Sequence, residues 1–249
     1  MKEHREGLYT TGFAALLLAL SILLYVVNYV IFRNAHDVLF YLVEDMAFLF
    51  IQVLLATVIL QRILSAREKR SMLKKLNMVI GAFFSEAGTP LLVYFRDFDK
   101  EADQIAQSLH VDTKWSHEQF QQMRRVLSRR EYRIDSRQGD LKGLRDFIIA
   151  KRQFLLALLE NPNLLEHEQF TELLWAVFHL ADELSHRPTV QNLPERDYEH
   201  LSGDIQRAYA LLTREWLSHL EHLKVSYPYL FSLAVRTNPF DPAASVELR

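Results

Sequence analysis

The residues with the greatest potential for chemistry lie in the second half of the sequence, where histidines and acids recur at helical spacing. Four of them fall within eight residues: His179, Asp182, Glu183 and His186. These separations bring side chains to one side of a helix, and Glu183 with His186 has the Glu-x-x-His spacing of di-iron bundles. The apolar residues of this segment define the opposite face. We therefore expect the four polar side chains to point to water unless another helix covers them, in which case a metal site could form.

A second group lies on a later predicted helix and consists of Glu215, His219 and His222. His219 falls in line with apolar positions of that helix, which favours a buried histidine bonded to a neighbour, although the spacing also permits a metal site. The chain has no cysteine and only seven glycines, scattered singly. These facts exclude disulfides and thiolate-bound metals and argue against phosphate-cradling loops, so no cofactor is expected.

Polar residues also interrupt the apolar N-terminal segment: Ser21, Asn28, Glu44, Asp45 and Gln52. Ser21 and Asn28 are seven residues apart, as are Asp45 and Gln52, so each of two helices presents a polar line on one face. The lines could form a packing seam in which polar groups satisfy one another. Alternatively, Glu44 or Asp45 could form an acidic ring in the pore of an oligomeric cation channel.

A cluster of basic residues follows: Arg62, Arg67, Lys69, Arg70, Lys74 and Lys75. It can act as a stop-transfer signal, or bind anionic lipid headgroups.

The apolar runs that carry these polar residues predict two membrane spans, at about 8–32 and 38–60. The first is about 37 Å long as a helix, enough for a hydrocarbon core of about 30 Å. The second reaches this length only if it includes Glu44 and Asp45. Six basic residues follow the second span and one lies in the connection between the spans. The sequence therefore predicts a multi-pass inner-membrane protein with both termini in the cytoplasm.

The rest of the chain predicts helices, so the fold class is all-α: a transmembrane hairpin followed by a cytoplasmic helical bundle. We expect a hairpin at 1–61, a basic juxtamembrane helix and linker at 62–90, the helical domain at 91–236 and a tail at 237–249. Gly88 to Pro90 should end the long second helix, and Leu91 to Phe95 could be helix or strand. Later helices are expected near 98–109, 116–132, 140–160, 164–186 and 195–224. Two capping boxes are expected, Ser116 with Gln119 and Asn163 with Glu166.

Two segments, LNMVIGAFFSE at 76–86 and YPYLFSLAVRTNPF at 227–240, resemble uncharacterised prokaryotic inner-membrane proteins with two spans. The resemblance agrees with the expected topology and implies no activity. A net charge of -2 gives no overall field that would attract nucleic acid. The expected partners are the lipid bilayer, further copies of the chain and a cytoplasmic protein. The sequence thus favours a membrane-anchored interaction or sensing module over an enzyme, with a channel subunit and a metal-dependent helical enzyme as alternatives.

Overall fold

The computed structural model describes residues 2–164 and 167–247, with the side chains of 2–14, 32, 35, 38 and 163 left undescribed. The protein is all-α, with 78% of its residues in helices. Within the described ranges no strand forms, and Asp99 and Ile134 make an isolated antiparallel bridge. The chain divides into two compact units, Met1–Lys69 and Arg70–Arg249.

The first unit contains α1, Lys2–Phe32, and the first part of α2, Ala35–Phe83. Arg33 ends α1 with a left-handed φ of 48°, and Asn34 donates a hydrogen bond of 2.7 Å to Asp37 in the first turn of α2. Among the described residues, one helical stretch, Leu39–Asp97, is long and apolar enough to cross a membrane. Ala15–Ile31 forms a shorter apolar helix.

The predicted helix end at Gly88 to Pro90 is wrong. A single π-turn, Phe84–Gly88, continues directly into α3, Thr89–Asp97. Pro90 is tolerated in this continuous helix because it follows the π-turn directly, where the regular α-helical hydrogen-bond pattern is already interrupted. Leu91 to Phe95 is therefore helical, and Leu76, Ile80 and Phe83 before the π-turn belong to the core of the second unit.

The remaining α-helices are α4 Ala102–Ser108, α5 His117–Arg129, α6 Leu141–Ala150, α7 Arg152–Leu159, α8 Glu168–His186, α9 Glu195–Ser226 and α10 Pro228–Arg236. They follow the predicted order: α4 to α8 are shorter than expected, α9 extends slightly beyond its expected end, and α10 was not predicted. The helix expected at 140–160 is divided at Lys151, whose ψ is 0°. The capping box of Ser116 and Gln119 is confirmed by reciprocal hydrogen bonds of 3.3 and 2.7 Å. The second expected box includes Glu166, which lies outside the described residues; α8 is capped by His167, which accepts a hydrogen bond from the backbone N–H of Phe170.

Helix α9 is the centre of the second unit and packs against α3, α5, α8 and α10. Its apolar residues recur every three or four positions, so one broad face is buried. Helix α8 packs against α6, α7 and α9. After α10 in the chain, Phe240 of the segment that was expected to be a tail packs against Trp216, with ring centroids 5.1 Å apart. The close contact between α8 and α9 positions the candidate functional site.

Candidate functional site

Four side chains converge where α8 packs against α9: His179 and Glu183 from α8, and His200 and Asp204 from α9. We call them the His179 cluster. The Nε2 atoms of His179 and His200 lie 3.5 and 3.3 Å from Asp204 Oδ2, and His200 Nε2 lies 3.6 Å from Glu183 Oε2. The donor atoms of the two histidines and Glu183 lie within 4.8 Å of one another. Each helix supplies a histidine and an acid four residues later.

The carboxylates of the cluster differ in their surroundings. The side chain of Asp204 is 5% exposed, and its Oδ2 accepts no hydrogen bond from any described residue. Glu183 accepts a hydrogen bond of 2.6 Å from Arg187, which lowers the pKa of this carboxyl. Arg207 lies 3.7 Å from the other oxygen of Asp204. The cluster is thus a half-open site with two imidazoles at its mouth and a buried carboxylate at its base.

The ligand set considered from the sequence is divided in the structure. His179 and Glu183 belong to the cluster, whereas Asp182 binds Arg152 at 3.0 Å and His186 Nδ1 lies 2.8 Å from the carbonyl oxygen of Asp182. His200 and Asp204 were not among the candidates. Their signal in the sequence is the repeated spacing, since both helices carry a histidine followed by an acid four residues later.

The second candidate group does not share one site. Glu215 lines a cavity of about 380 Å³ with Arg124, Arg125 and Arg214, and burial raises the pKa of its carboxyl.

His219 lines another cavity and stacks on Phe84, with ring centroids 4.9 Å apart and planes 12° from parallel. Burial lowers the pKa of His219 to about 4, so the ring is neutral at pH 7. Burial also lowers the pKa of His222, whose ring contacts Tyr227.

We call the cavity beside His219 the His219 pocket. Its volume is about 610 Å³, and its walls come from the end of α2, the π-turn and helices α3, α9 and α10. Most of the lining is apolar, including Phe84, Trp216, Leu220 and Leu233. A neutral imidazole can donate and accept one hydrogen bond each. The pocket is therefore suited to a largely apolar group with a polar atom that bonds to His219.

In the first unit, Asp45 accepts a hydrogen bond of 3.1 Å from the Tyr25 hydroxyl. The other residues considered for a membrane seam or pore are exposed: Ser21, Asn28, Glu44 and Gln52. The six basic side chains considered for lipid headgroups are exposed along α2: Arg62, Arg67, Lys69, Arg70, Lys74 and Lys75.

Comparisons with known proteins cover both units. Residues 72–236 match the family described as "Uncharacterized protein MJ1433, C-terminal helical domain", and residues 5–64 match "MJ1433, N-terminal helical domain". The chain is 44% identical over 233 residues to the "Uncharacterized protein MJ1433" of Methanocaldococcus jannaschii, an alignment that covers 94% of each protein. No solved structure matches the chain. The matches span nearly the whole sequence, and the chain therefore belongs to the MJ1433 family.

Proposed function

We propose that the protein is a membrane-anchored helical binding module, with its anchor in the first unit and its binding sites in the second. The observation that carries this proposal is the exposure of the apolar part of α2. None of the 18 most apolar consecutive residues of Leu39–Asp97 is buried within the protein. Exposing so many large apolar side chains to water is unfavourable, whereas a lipid bilayer provides an apolar surrounding.

The charges on either side of the apolar part of α2 support an orientation. Six exposed basic residues follow this apolar part along α2, whereas Arg33 is the single basic residue of the sequence between Asn28 and Gln61 apart from His36. Positive charge is retained on the cytoplasmic side of membranes. Both termini and the helical domain are therefore assigned to the cytoplasm, with the basic residues near anionic headgroups.

The polar residues of the first unit favour an anchor over a channel. Asp45 is engaged by Tyr25 within the same chain, as expected of a packing seam that satisfies a costly polar group. A channel would instead need Glu44 or Asp45 from several copies to surround a pore. Association of the anchor into a homo-oligomer is compatible with the same seam, because polar side chains can also bond between copies.

The binding role rests on the second unit, which holds two sites that a purely structural domain does not require. One is the His179 cluster and the other is the His219 pocket. Pockets with mostly apolar walls and a few convergent polar groups are the usual form of small-molecule sites. A partner protein in the cytoplasm could bind more or less tightly when either site is occupied.

Alkaline extraction of membranes tests the anchor with the full chain. We expect the wild-type protein to stay in the membrane pellet after a carbonate wash that releases peripheral proteins. Leu49→Arg combined with Val53→Arg places two charges in the proposed span, at a cost of about 3 kcal/mol each, and should reduce retention severely. The matched control, Trp175→Arg with Val225→Arg, adds the same charges at exposed positions of the second unit and should be retained. Release of the wild-type protein would reject the anchor.

A further inference from the structure

We propose that the His179 cluster binds one divalent transition-metal ion, of which Zn²⁺ is the best match. The inference deepens the proposed function because it names the chemistry of one binding site. The four donors all belong to the second unit, so the proposed metal site does not depend on the membrane anchor.

The distances within the cluster agree with a single metal ion. Zinc binds imidazole nitrogen and carboxylate oxygen at about 2.0–2.1 Å, and the corners of a tetrahedron of this size are about 3.3–3.4 Å apart. Three of the contacts between donor atoms measure 3.3, 3.5 and 3.6 Å, and the donor atoms of His179, Glu183 and His200 all lie within 4.8 Å of one another. One ion could therefore reach all four side chains once the wider pairs draw closer together.

The buried oxygen of Asp204 provides an independent observation. A buried carboxylate pays a large desolvation cost unless its oxygens are hydrogen-bonded, paired or bound to a metal. Asp204 has ion-pair contacts to His179, His200 and Arg207 at 3.5, 3.3 and 3.7 Å. Oδ2 of Asp204 faces both histidines yet accepts no hydrogen bond from the described residues. A cation held between the two imidazoles and this oxygen would satisfy it.

The chemistry of the donors selects among metals. Two imidazoles favour Zn²⁺, Cu²⁺, Fe²⁺ or Ni²⁺ over Mg²⁺ and Ca²⁺, which prefer oxygen ligands in larger numbers. Two carboxylates balance the charge of a divalent ion. Arg187 donates a hydrogen bond to Oε2 of Glu183, the oxygen that lies 3.6 Å from His200 Nε2, so the arginine holds this carboxylate in place beside the imidazoles. The half-exposed imidazoles, 48% and 50% accessible, leave a path for the ion from solvent.

A bound metal ion is predicted to hold α8 and α9 together. Because each helix supplies two ligands, an ion can bind fully only when the helices are packed together. Metal that binds the folded state alone stabilises it in proportion to the logarithm of its concentration. Zn²⁺ should therefore raise the melting temperature of the second unit.

The test is a Zn²⁺ titration of the full chain, purified in detergent with a tag that contains no histidine. We expect one ion per chain by calorimetry, visible absorption bands when Co²⁺ occupies the site, and no binding of Mg²⁺ under the same conditions. His200→Ala and Asp204→Asn should each weaken Zn²⁺ binding at least tenfold. His200 is half-exposed, so this variant should fold even if the substitution at buried Asp204 disturbs packing.

His186→Ala is the matched control, because it removes an exposed histidine from the same helix one turn away from the cluster. It should bind Zn²⁺ like the wild type. Failure of the folded wild-type protein to bind one ion, or an equal loss in the His186 variant, would overturn the proposal. Zinc binding by a protein that the carbonate wash releases would reject the anchor and keep the metal site, so the two failures are distinguishable.

Discussion

The two units of the chain both contain many large apolar side chains but surround them differently. In the first unit Phe50 is 72% exposed, and apolar residues occur on all sides of the helix. In the second unit Phe170 is fully buried, and the polar residues of α8 occupy the opposite face. Burial of one such side chain is worth about 1.5–3 kcal/mol. The second unit obtains this energy from its own core, whereas the first must obtain it from its surroundings.

The largest effect should come from the core of the second unit. Phe170→Ala removes a ring that packs edge-to-face on Phe83, with centroids 5.2 Å apart, and should cost about 3–5 kcal/mol of unfolding free energy. Trp175→Ala, on the same helix but 58% exposed, should cost less than about 1 kcal/mol. Chemical denaturation followed by circular dichroism measures both. Equal losses would contradict the assigned core face of α8.

The second effect is a pH dependence that arises at His219. Its pKa is 6.5 when unfolded and about 4 in the folded protein, so the unfolded state binds more protons between these values. The contribution of His219 to the free energy of unfolding is therefore fully present above pH 6.5. It is lost as the pH falls toward 4, by about 3 kcal/mol in total. His219→Phe keeps a ring against Phe84 but cannot titrate. Its unfolding free energy should fall less on acidification, and parallel curves for the two proteins would refute burial of this histidine.

A third effect separates two glycines of the second unit. A Cβ added at Gly88 would lie 2.7 Å from a ring carbon of Phe84 and 2.8 Å from one of Phe83. Both rings are buried and cannot move freely, so Gly88→Ala should destabilise the domain by about 1–3 kcal/mol. At Gly203 a Cβ meets no described atom within 4 Å, and Gly203→Ala should stabilise α9 by about 0.5–1 kcal/mol. Thermal melting should show a lower melting temperature for Gly88→Ala and a higher one for Gly203→Ala than for the wild type.

The smallest effect is expected in the first unit. Asp45→Asn retains an oxygen that can accept the hydrogen bond from Tyr25, and bonds of this kind contribute about 0.6 kcal/mol in membrane helices. The variant should therefore stay in the membrane, and liposomes that contain either protein should pass cations no faster than empty ones. A cation flux in the wild type that is lost in Asp45→Asn would favour the channel over the anchor.

Local features of the fold could be predicted from the sequence because the residues that determine them are neighbours. Ser116 and Gln119 define a helix start within four positions, and the structure has both hydrogen bonds. The helix end expected at Gly88 was wrong because a glycine also fits where two aromatic rings pack closely. Phe83 and Phe84 are close in the sequence, but the sequence does not show that their rings pack against Gly88. The division at Lys151 was not predicted either, since no glycine or proline marks it in the sequence.

The candidate site was only half predictable for a similar reason. His179 and Glu183 stand out because they share one helix face. Their partners, His200 and Asp204, come from a helix that begins after a loop, and the sequence does not show which face of α8 that helix covers. Only the tertiary packing of α9 beside α8 makes the four residues a single site.

The most direct test of the anchor exploits the absence of cysteine from the chain. Leu54 is 64% exposed in the structure, so a cysteine there reacts readily with a water-soluble maleimide if its surroundings are water. In lipid the thiol is shielded and cannot ionise. In membrane fragments open on both sides, we predict that Leu54→Cys is labelled only after detergent is added, whereas Ser128→Cys, an exposed position of the second unit, is labelled at once. Equal labelling of the two cysteines before detergent would contradict a membrane span in the first unit.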